Sequence, residues 1–334
     1  MSVAAARSPQ GAATADQEAR TGRKTWLLRG LLVLGICLAA YLIYRTLHRY
    51  SFDDIVAAVA AIPGSNLARA GGFAAASYLC LTGFDWLGLR YVGRNLSYPR
   101  AALASFTSLS LGHNIGFAGV SSGAIRYRFY ARWGLSTGEV AKLVLFCGVT
   151  VGLGLLTLGA AALVLKPEVA MRLTGFDALP VRLLGLACVG LVATYLGLAW
   201  IGGTVTVRGF SLDMPKPTLA LAQVAIGAVN FACVAACLHA LVAAVGEASY
   251  FDVAGAYVTG NVTALLSHVP GGLGVIETAV MYLLPGRDLI GALIAFRVTY
   301  FFVPLAIGLV VFGLSELVFR RSGPPPAAPA QERR

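Results

Sequence analysis

Several charged residues of this chain lie inside apolar stretches, where a charge is unfavourable unless it has a partner or a function. Glu277 and Arg297 lie in neighbouring apolar segments near the C-terminal end, and Arg126 closes an apolar stretch earlier in the chain. An ionised group inside a bilayer is unfavourable by about 3 kcal/mol on insertion scales, so such residues usually bind a substrate or pair with each other. The sequence therefore predicts a Glu277–Arg297 pair at depth. Whether that pair binds a ligand or only locks two segments together stays open.

Two histidines mark an internal repeat that contains these charges. Residues 113–127 read HNIGFAGVSSGAIRY, and residues 268–282 read HVPGGLGVIETAVMY. Glycine clusters and a proline suit backbone that breaks inside the membrane, and broken helices in duplicated membrane folds mark binding sites. The simpler alternative is that the glycines only allow close helix packing. The aligned copies share six identities: His113/His268, Gly116/Gly271, Gly119/Gly274, Val120/Val275, Ala124/Ala279 and Tyr127/Tyr282.

The repeat supplies the candidate site. The first copy is cationic where the second carries an acid, which suits an amphiphile with a phosphate and a separate polar or cationic group. Asp85 is interpreted as a membrane-edge acid, either paired with Arg90 or interfacial, and His239 as a packing residue. The candidate substrate-binding residues are His113, Asn114, Arg126, His268, Glu277, Arg297 and Tyr300. The backbone of the breaks is assigned to Gly116, Gly119, Pro270, Gly271, Gly272 and Gly274.

Composition places these residues in a polytopic membrane protein. Hydrophobic residues make up 57% of the 334 residues and charged residues only 12%. The net charge of +11 is spread over the loops between apolar runs, which indicates membrane topology and contact with anionic lipid rather than nucleic acid. No nucleophile motif, metal-ligand cluster or nucleotide motif stands out. We therefore expect no catalytic residues, no metal and no cofactor.

Eight apolar segments allow two topologies. If the runs Ala101–Ile125 and Val253–Ile276 enter the membrane, break and return, 18 of the 26 Lys and Arg residues lie inside and 8 outside, against 15 and 11 if every segment crosses. The positive-inside rule favours the first layout. It predicts an all-α polytopic protein with about six spanning helices and two re-entrant helical hairpins in an inverted repeat, both termini cytoplasmic. Residues 50–62 are predicted to form an interfacial helix.

The domain organisation follows from this layout. Residues 26–320 form one transmembrane domain, with repeat units at about 101–166 and 251–318. The terminal segments 1–25 and 321–334 are rich in Ala, Gly, Pro and Arg and are predicted to be disordered cytoplasmic tails.

Three motifs resemble a known family. The segments HVPGGLGVIE (268–277), FRVTYFFVPL (296–305) and HNIGFAGVSSGAIRYRFY (113–130) are similar to those of the lysylphosphatidylglycerol synthase transmembrane-domain family. The resemblance covers about residues 26–320 and is most similar to the stand-alone members, whose pattern Glu277 fits. The positions that fall on family motifs are Asn114, Gly119, Arg126, Pro270, Gly271, Gly272, Gly274, Glu277 and Arg297.

The resemblance implies a function in lipid handling. In the two-domain relatives this region flips aminoacylated phosphatidylglycerol between leaflets, while a soluble domain performs tRNA-dependent aminoacyl transfer. Because this chain ends shortly after its last apolar segment, we expect no synthase activity and no enzyme. We expect a bacterial inner-membrane lipid translocase of the flippase type that moves or handles an anionic or aminoacylated phospholipid.

Two other functions stay open at this point. One is a secondary transporter of a small polar solute, with Glu277 or a histidine carrying the coupled proton. The other is a non-transporting membrane partner of a lipid-modifying enzyme. The expected partners are membrane phospholipids in every case, with a lipid enzyme in the last.

Overall fold

The computed structural model describes residues 52–115, 118–207, 210–267, 269–285 and 289–321. These residues are helical apart from one short strand hairpin and the connections. The helices are α1 (Phe52–Ala60), α2 (Gly64–Tyr91), α3 (Tyr98–Ile115), α4 (Ala118–Arg132), α5 (Thr137–Leu165), α6 (Glu168–Thr174), α7 (Ala178–Ile201), α8 (Pro217–Val242), α9 (Tyr250–Ser267), α10 (Val275–Leu283), α11 (Ile290–Arg297) and α12 (Val303–Arg321). A 3₁₀ turn spans Pro270–Gly272, and a π-helical segment, Val298–Phe302, joins α11 to α12.

Four helical stretches in the described residues are long and apolar enough to cross a membrane. They are α5, α7, α8 and the continuous stretch Ile290–Phe319 formed by α11, the π segment and α12. Helix α2 also has 28 residues but is less apolar, since it contains polar residues such as Ser77, Thr82 and Asp85, which are buried on its inner side. The predicted first span, at about 30–44, lies outside the described residues. The helical membrane fold is confirmed, and the number of six spanning helices stays a prediction.

Helix α7 ends earlier than the apolar run that contains it. Gly202 and Gly203 have φ of 76° and 140°, values that L side chains rarely adopt, and they end the helix. The following residues form an antiparallel hairpin of strand β1 (Thr204–Val207) and strand β2 (Phe210–Asp213). The Tyr91 hydroxyl donates to the Asp213 carbonyl at 2.6 Å, so this hairpin lies at the end of α2.

The two repeated segments each form a pair of packed helices, called here the first pair (α3 and α4) and the second pair (α9 and α10). In the first pair, a Cβ added at Gly112 would lie 2.8 Å from the Ser122 Cβ. In the second pair, a Cβ added at Gly260 would lie 3.1 Å from the Ile276 Cα. In both copies, therefore, the helices before and after the predicted break pack against each other, and glycine allows the close contact.

The bases of the two pairs lie at opposite ends of α2. At the end of α2, the Thr82 and Tyr98 hydroxyls are 2.7 Å apart, which places the start of the first pair there. At the beginning of α2, the Asn66 amide donates to the Ala240 carbonyl at 2.7 Å. The neighbouring His239 Nε2 lies 3.1 Å from the carbonyl of Ala248, just before the second pair begins. Asn66 and Thr82 are about 24 Å apart by helical rise, so the starts of the two pairs are well separated along α2.

Small residues set the distances between the central helices. Helices α5 and α8 cross at Gly154 and Gly227, where a Cβ on Gly227 would lie 2.7 Å from the Thr150 carbonyl oxygen. Such backbone contact between helices is typical of membrane proteins, in which close packing replaces the hydrophobic driving force. Helix α7 lies outside this core and exposes apolar side chains along most of its length.

Candidate functional site

The second break contacts the end of α3 inside the bundle. In the second break, Gly271, Gly272 and Gly274 have φ of 61°, 59° and 80°, in the left-handed region that favours glycine. A Cβ added at Gly271 would lie 3.5 Å from the carbonyl oxygen of His113, in the last turn of α3. The tips of both pairs are therefore in contact.

Arg297 fastens the second break from the neighbouring helix. Its Nε and Nη2 donate to the Glu277 carboxylate at 2.5 and 3.0 Å, and its Nη1 and Nη2 donate to the carbonyls of Gly271 and Gly272 at 2.5 and 2.9 Å. The side chain is 6% exposed, and its guanidinium carbon lies 4.6 Å from the centre of the Phe301 ring. The predicted Glu277–Arg297 pair is present, and the same arginine satisfies backbone that the break leaves without helical partners.

Glu277 also stabilises the start of α10. Its Oε2 accepts a hydrogen bond from the Gly274 amide at 2.9 Å, so the carboxylate lies at the positive end of the helix dipole. With two bonds from Arg297 as well, both carboxylate oxygens accept hydrogen bonds from the protein. This geometry favours the structural-lock alternative for the pair in this conformation.

Arg126, on the second helix of the first pair, binds a residue that the sequence analysis assigned differently. Its Nε donates to the Asp85 Oδ2 at 3.0 Å, and its Nη2 donates to Oδ1 at 2.8 Å. Arg126 is 2% exposed and Asp85 is fully buried. The interpretation of Asp85 as an interfacial acid or a partner of Arg90 was wrong. Arg90 instead stacks over the Trp86 ring, 3.6 Å from its centre.

Two further side chains complete the surroundings of Asp85. The Tyr130 hydroxyl donates to Oδ2 at 2.7 Å, and the Cys147 thiol lies 3.7 Å from Oδ1. The carboxylate on α2 thus connects α4 and α5. The signal for it was available: Arg126 needed a partner at depth, and a buried acid on a neighbouring span can supply one. What the sequence could not supply was which acid, 41 residues away, faces it.

The other candidate residues have different surroundings. The Asn114 amide donates to the Ser110 carbonyl of its own helix at 2.9 Å. Tyr300 is buried, and its hydroxyl lies 2.8 Å from the Ser77 hydroxyl. The Nδ1 of His113 is buried, and no described residue forms a hydrogen bond with it. Gly119 lies in the first turn of α4 and Pro270 begins the 3₁₀ turn, whereas Gly116 and His268 lie outside the described residues.

A proline explains the π-helical segment next to the site. Pro304 has no amide hydrogen, so the carbonyl four residues earlier, on Tyr300, loses its helical partner. The hydroxyl of Tyr78 on α2 donates to this carbonyl at 3.3 Å. A wider helical turn and a donor from another helix therefore accommodate the proline just after Arg297.

Residues 32–308 match the family described as "Lysylphosphatidylglycerol synthase TM region". The chain belongs to this family. Both helix pairs and both buried charge pairs lie within the match, which confirms the resemblance drawn from the three motifs.

Two relatives of this chain come from bacteria. An uncharacterized protein of Synechocystis, slr0712, is 32% identical over 287 residues that cover 82% of this chain and 87% of that protein. The inner membrane protein YbhN of Escherichia coli is 29% identical over 265 residues, 75% of this chain and 80% of that protein. Together with the apolar helices, these likenesses establish a membrane protein of the YbhN-like kind.

Proposed function

We propose that this protein is a bacterial inner-membrane lipid translocase of the flippase type. Its substrate is a phospholipid with an anionic or aminoacylated headgroup, and it carries no aminoacyl-transferase activity. The observation that carries the proposal is the contact of the second glycine break, at Gly271, with the end of α3, at His113, together with one buried charge pair on each helix pair. Non-helical backbone at membrane depth is tolerated where it is enclosed by protein or lines a pathway.

An inverted repeat fits this function. The bases of the first and second pairs lie at opposite ends of α2, as they do when one re-entrant hairpin enters from each leaflet. With the predicted first span and α2 added to the four apolar stretches, six spans result. Inverted units around a midplane site are typical of transporters that expose the site alternately to each side.

Charge at the two ends supports cytoplasmic termini. Around the base of the first pair lie Arg90, Arg94, Arg100, Arg132, Lys142 and Lys216, with the acids Glu139 and Asp213. Among the described residues, the other end carries fewer cations, Arg69, Lys166, Arg172 and Arg182, and more acids, Asp53, Glu168, Asp177, Glu247 and Asp252. Basic residues concentrate on the cytoplasmic side of inner-membrane proteins, so the first pair enters from the cytoplasm.

The described conformation is interpreted as a closed state. Both buried arginines bind carboxylates of the protein, and the second break contacts the end of α3, so a headgroup enters only when the two units separate. The units touch closely at a second place as well, where α3 packs on α12. A Cβ added at Gly308 would lie 2.9 Å from the Ser110 Cβ. Translocation then requires this contact to open and close.

A reversible crosslink between the units tests the proposal. In a background with the native cysteines replaced by alanine, Ser110→Cys/Gly308→Cys places two cysteines opposite each other across the α3–α12 contact. Their Cβ positions are 2.9 Å apart, so the helices must separate by about 1 Å to reach disulfide geometry. Proteoliposomes carrying headgroup-labelled phosphatidylglycerol and its aminoacylated form are assayed for transbilayer movement. We expect movement by the reduced protein, loss on oxidation, and recovery on reduction.

A matched control crosslinks residues within one unit. Gly260→Cys/Ala279→Cys joins α9 to α10, where a Cβ on Gly260 would lie 3.2 Å from the Ala279 Cβ. Its oxidation should leave transbilayer movement unchanged. Equal movement in the oxidised and reduced inter-unit variant, with the disulfide verified by mass, would refute the proposed motion. No movement above protein-free liposomes in any form would refute the translocase itself.

A further inference from the structure

A cleft opens at the basic end of the bundle, away from the two breaks. It has a volume of about 860 Å³ and lies between the end of α2, the start of α5 and the segment from β2 into α8. This volume is in the range of small-ligand sites. Three cations line it, Arg90, Lys142 and Lys216, with the acids Glu139 and Asp213.

Of the two acids, Glu139 is paired with an arginine outside the cleft lining, and Asp213 accepts a hydrogen bond from a neutral hydroxyl. Arg94 donates to both oxygens of Glu139, at 2.6 and 3.0 Å. The Asp213 Oδ1 accepts from the Thr204 hydroxyl at 2.8 Å within the strand hairpin. In contrast, Arg90 and Lys216 are exposed and form no ion pair in the described part of the chain. The cleft therefore presents positive charge that the neighbouring carboxylates do not cancel.

The N-termini of two helices add to the positive electrostatic potential of the cleft. The first turns of α5 and α8 both line the cleft, and these helices have 29 and 26 residues. The start of α5 is capped by Ser136 and Glu139, whereas no side chain caps α8. At α8, Pro217 has no amide hydrogen, and the Leu219 amide donates to the Lys216 carbonyl at 2.9 Å. This start therefore offers a phosphate the Thr218 amide and the positive end of the helix dipole.

Apolar residues form the other wall of the cleft. Leu87, Leu219 and Ala222 lie beside the cations, at the level where helices α2 and α8 leave their apolar surroundings. A ligand with a phosphate and an attached apolar or glyceryl part matches both walls. The cations hold the phosphate, and the apolar side chains contact the rest.

The geometry points to a phosphate-binding site in this cleft, formed by Arg90, Lys216 and the start of α8, for a phosphate ester at the membrane surface. The phosphate belongs either to an anionic glycerophospholipid of the adjacent leaflet or to a soluble phosphoester. The site is separate from the breaks. It binds its ligand whether or not the protein translocates lipid.

Removal of Arg90 and Lys216, two cleft cations without an ion pair among the described residues, tests this site. The variant Arg90→Gln/Lys216→Gln is compared with wild type and with Arg100→Gln, which removes an arginine from the same end of the bundle but outside the cleft. Delipidated protein is titrated with phosphatidylglycerol, and bound lipid is counted by native mass spectrometry. Because charge-assisted hydrogen bonds to phosphate are lost, we expect about tenfold weaker retention of one lipid in the double variant. Arg100→Gln should retain it as wild type does.

A second arm identifies the source of the phosphate. Protein in phosphatidylcholine nanodiscs is heated with inorganic phosphate or glycerol 3-phosphate. A rise in Tm for wild type but not for Arg90→Gln/Lys216→Gln assigns the site to soluble phosphoesters, and a difference only in phosphatidylglycerol retention assigns it to lipid. The charge-conserving variant Arg90→Lys/Lys216→Arg should restore binding. Equal retention and equal Tm for all variants would overturn the site, independently of any transport result.

Discussion

Each helix pair contributes one residue to a buried arginine–carboxylate ion pair, and the two ion pairs hold different parts of the structure. In the second pair, Arg297 reaches across from α11, binds Glu277 and at the same time holds the carbonyls of Gly271 and Gly272. In the first pair, the described hydrogen bonds of Arg126 go to Asp85, which lies on α2. One charge pair fastens the break itself, and the other fastens a helix to its neighbours.

The difference separates two roles of a buried charge. The Asp85–Arg126 pair joins α2, α4 and α5, so it stabilises the arrangement of whole helices. The Glu277–Arg297 pair determines the conformation of a few residues at the break. A change in the first pair is therefore expected to act on global stability, and a change in the second on the local structure at the tip.

The largest effect is expected from Asp85→Ala. It leaves Arg126 buried without its partner, which should lower the free energy of unfolding by about 4 kcal/mol. Thermal unfolding in detergent measures the loss. Asp85→Ala/Arg126→Met removes both charges and should recover most of it, and a double variant as unstable as the single one would contradict this account.

A smaller effect is expected from Arg297→Lys. Lysine keeps the charge but lacks the planar fork that reaches Glu277 and both carbonyls, so unfolding should become easier by about 2 kcal/mol. Arg126→Lys is the comparison, because there the described bonds reach a carboxylate only. Hydrogen exchange should increase at residues 269–275 in Arg297→Lys and stay as in wild type there in Arg126→Lys. Equal exchange in both variants would remove the distinction between the two pairs.

A third prediction concerns the contact of the second break with the end of α3. Gly271→Ala adds a methyl group at φ of 61° facing the His113 carbonyl, and should destabilise the protein by about 1 to 2 kcal/mol. Gly152→Ala on α5 meets open space with ordinary helical backbone, so its unfolding temperature should be unchanged or slightly higher. Similar losses from both substitutions would argue against a special backbone at the break.

The smallest effects belong to the exposed pair at the basic end. Arg94→Gln removes an ion pair whose arginine is 45% exposed, and should change stability by less than about 1 kcal/mol. Glu139→Gln loses the same pair and also weakens the acceptor that caps α5, so it should be the more harmful of the two by a few tenths of a kcal/mol. Chemical denaturation of both variants checks the order, and equal losses would show that the Glu139 cap adds nothing to stability.

Much of the second pair could be predicted from the sequence, and less of the first. The glycines at 271, 272 and 274 and the close spacing of Glu277 and Arg297 are local signals, and the break, the pair and the helix start follow from them. Asp85 and Arg126 are far apart in sequence, and only the packing of α2 against α4 brings them together. The strand hairpin after α7 was missed because its residues continue an apolar run, and the two glycines before it were the signal.

The bond between Tyr78 and Tyr300 has a consequence for biosynthesis. The π-helical segment before Pro304 depends on the hydroxyl of Tyr78, which precedes Tyr300 by 222 residues. As the chain leaves the ribosome, α2 enters the membrane long before α12. The Tyr300 carbonyl therefore gains its hydrogen bond from Tyr78 only when α12 docks. Docking of α12 against α2 is therefore favoured over placements that leave the Tyr300 carbonyl without a hydrogen bond in hydrocarbon.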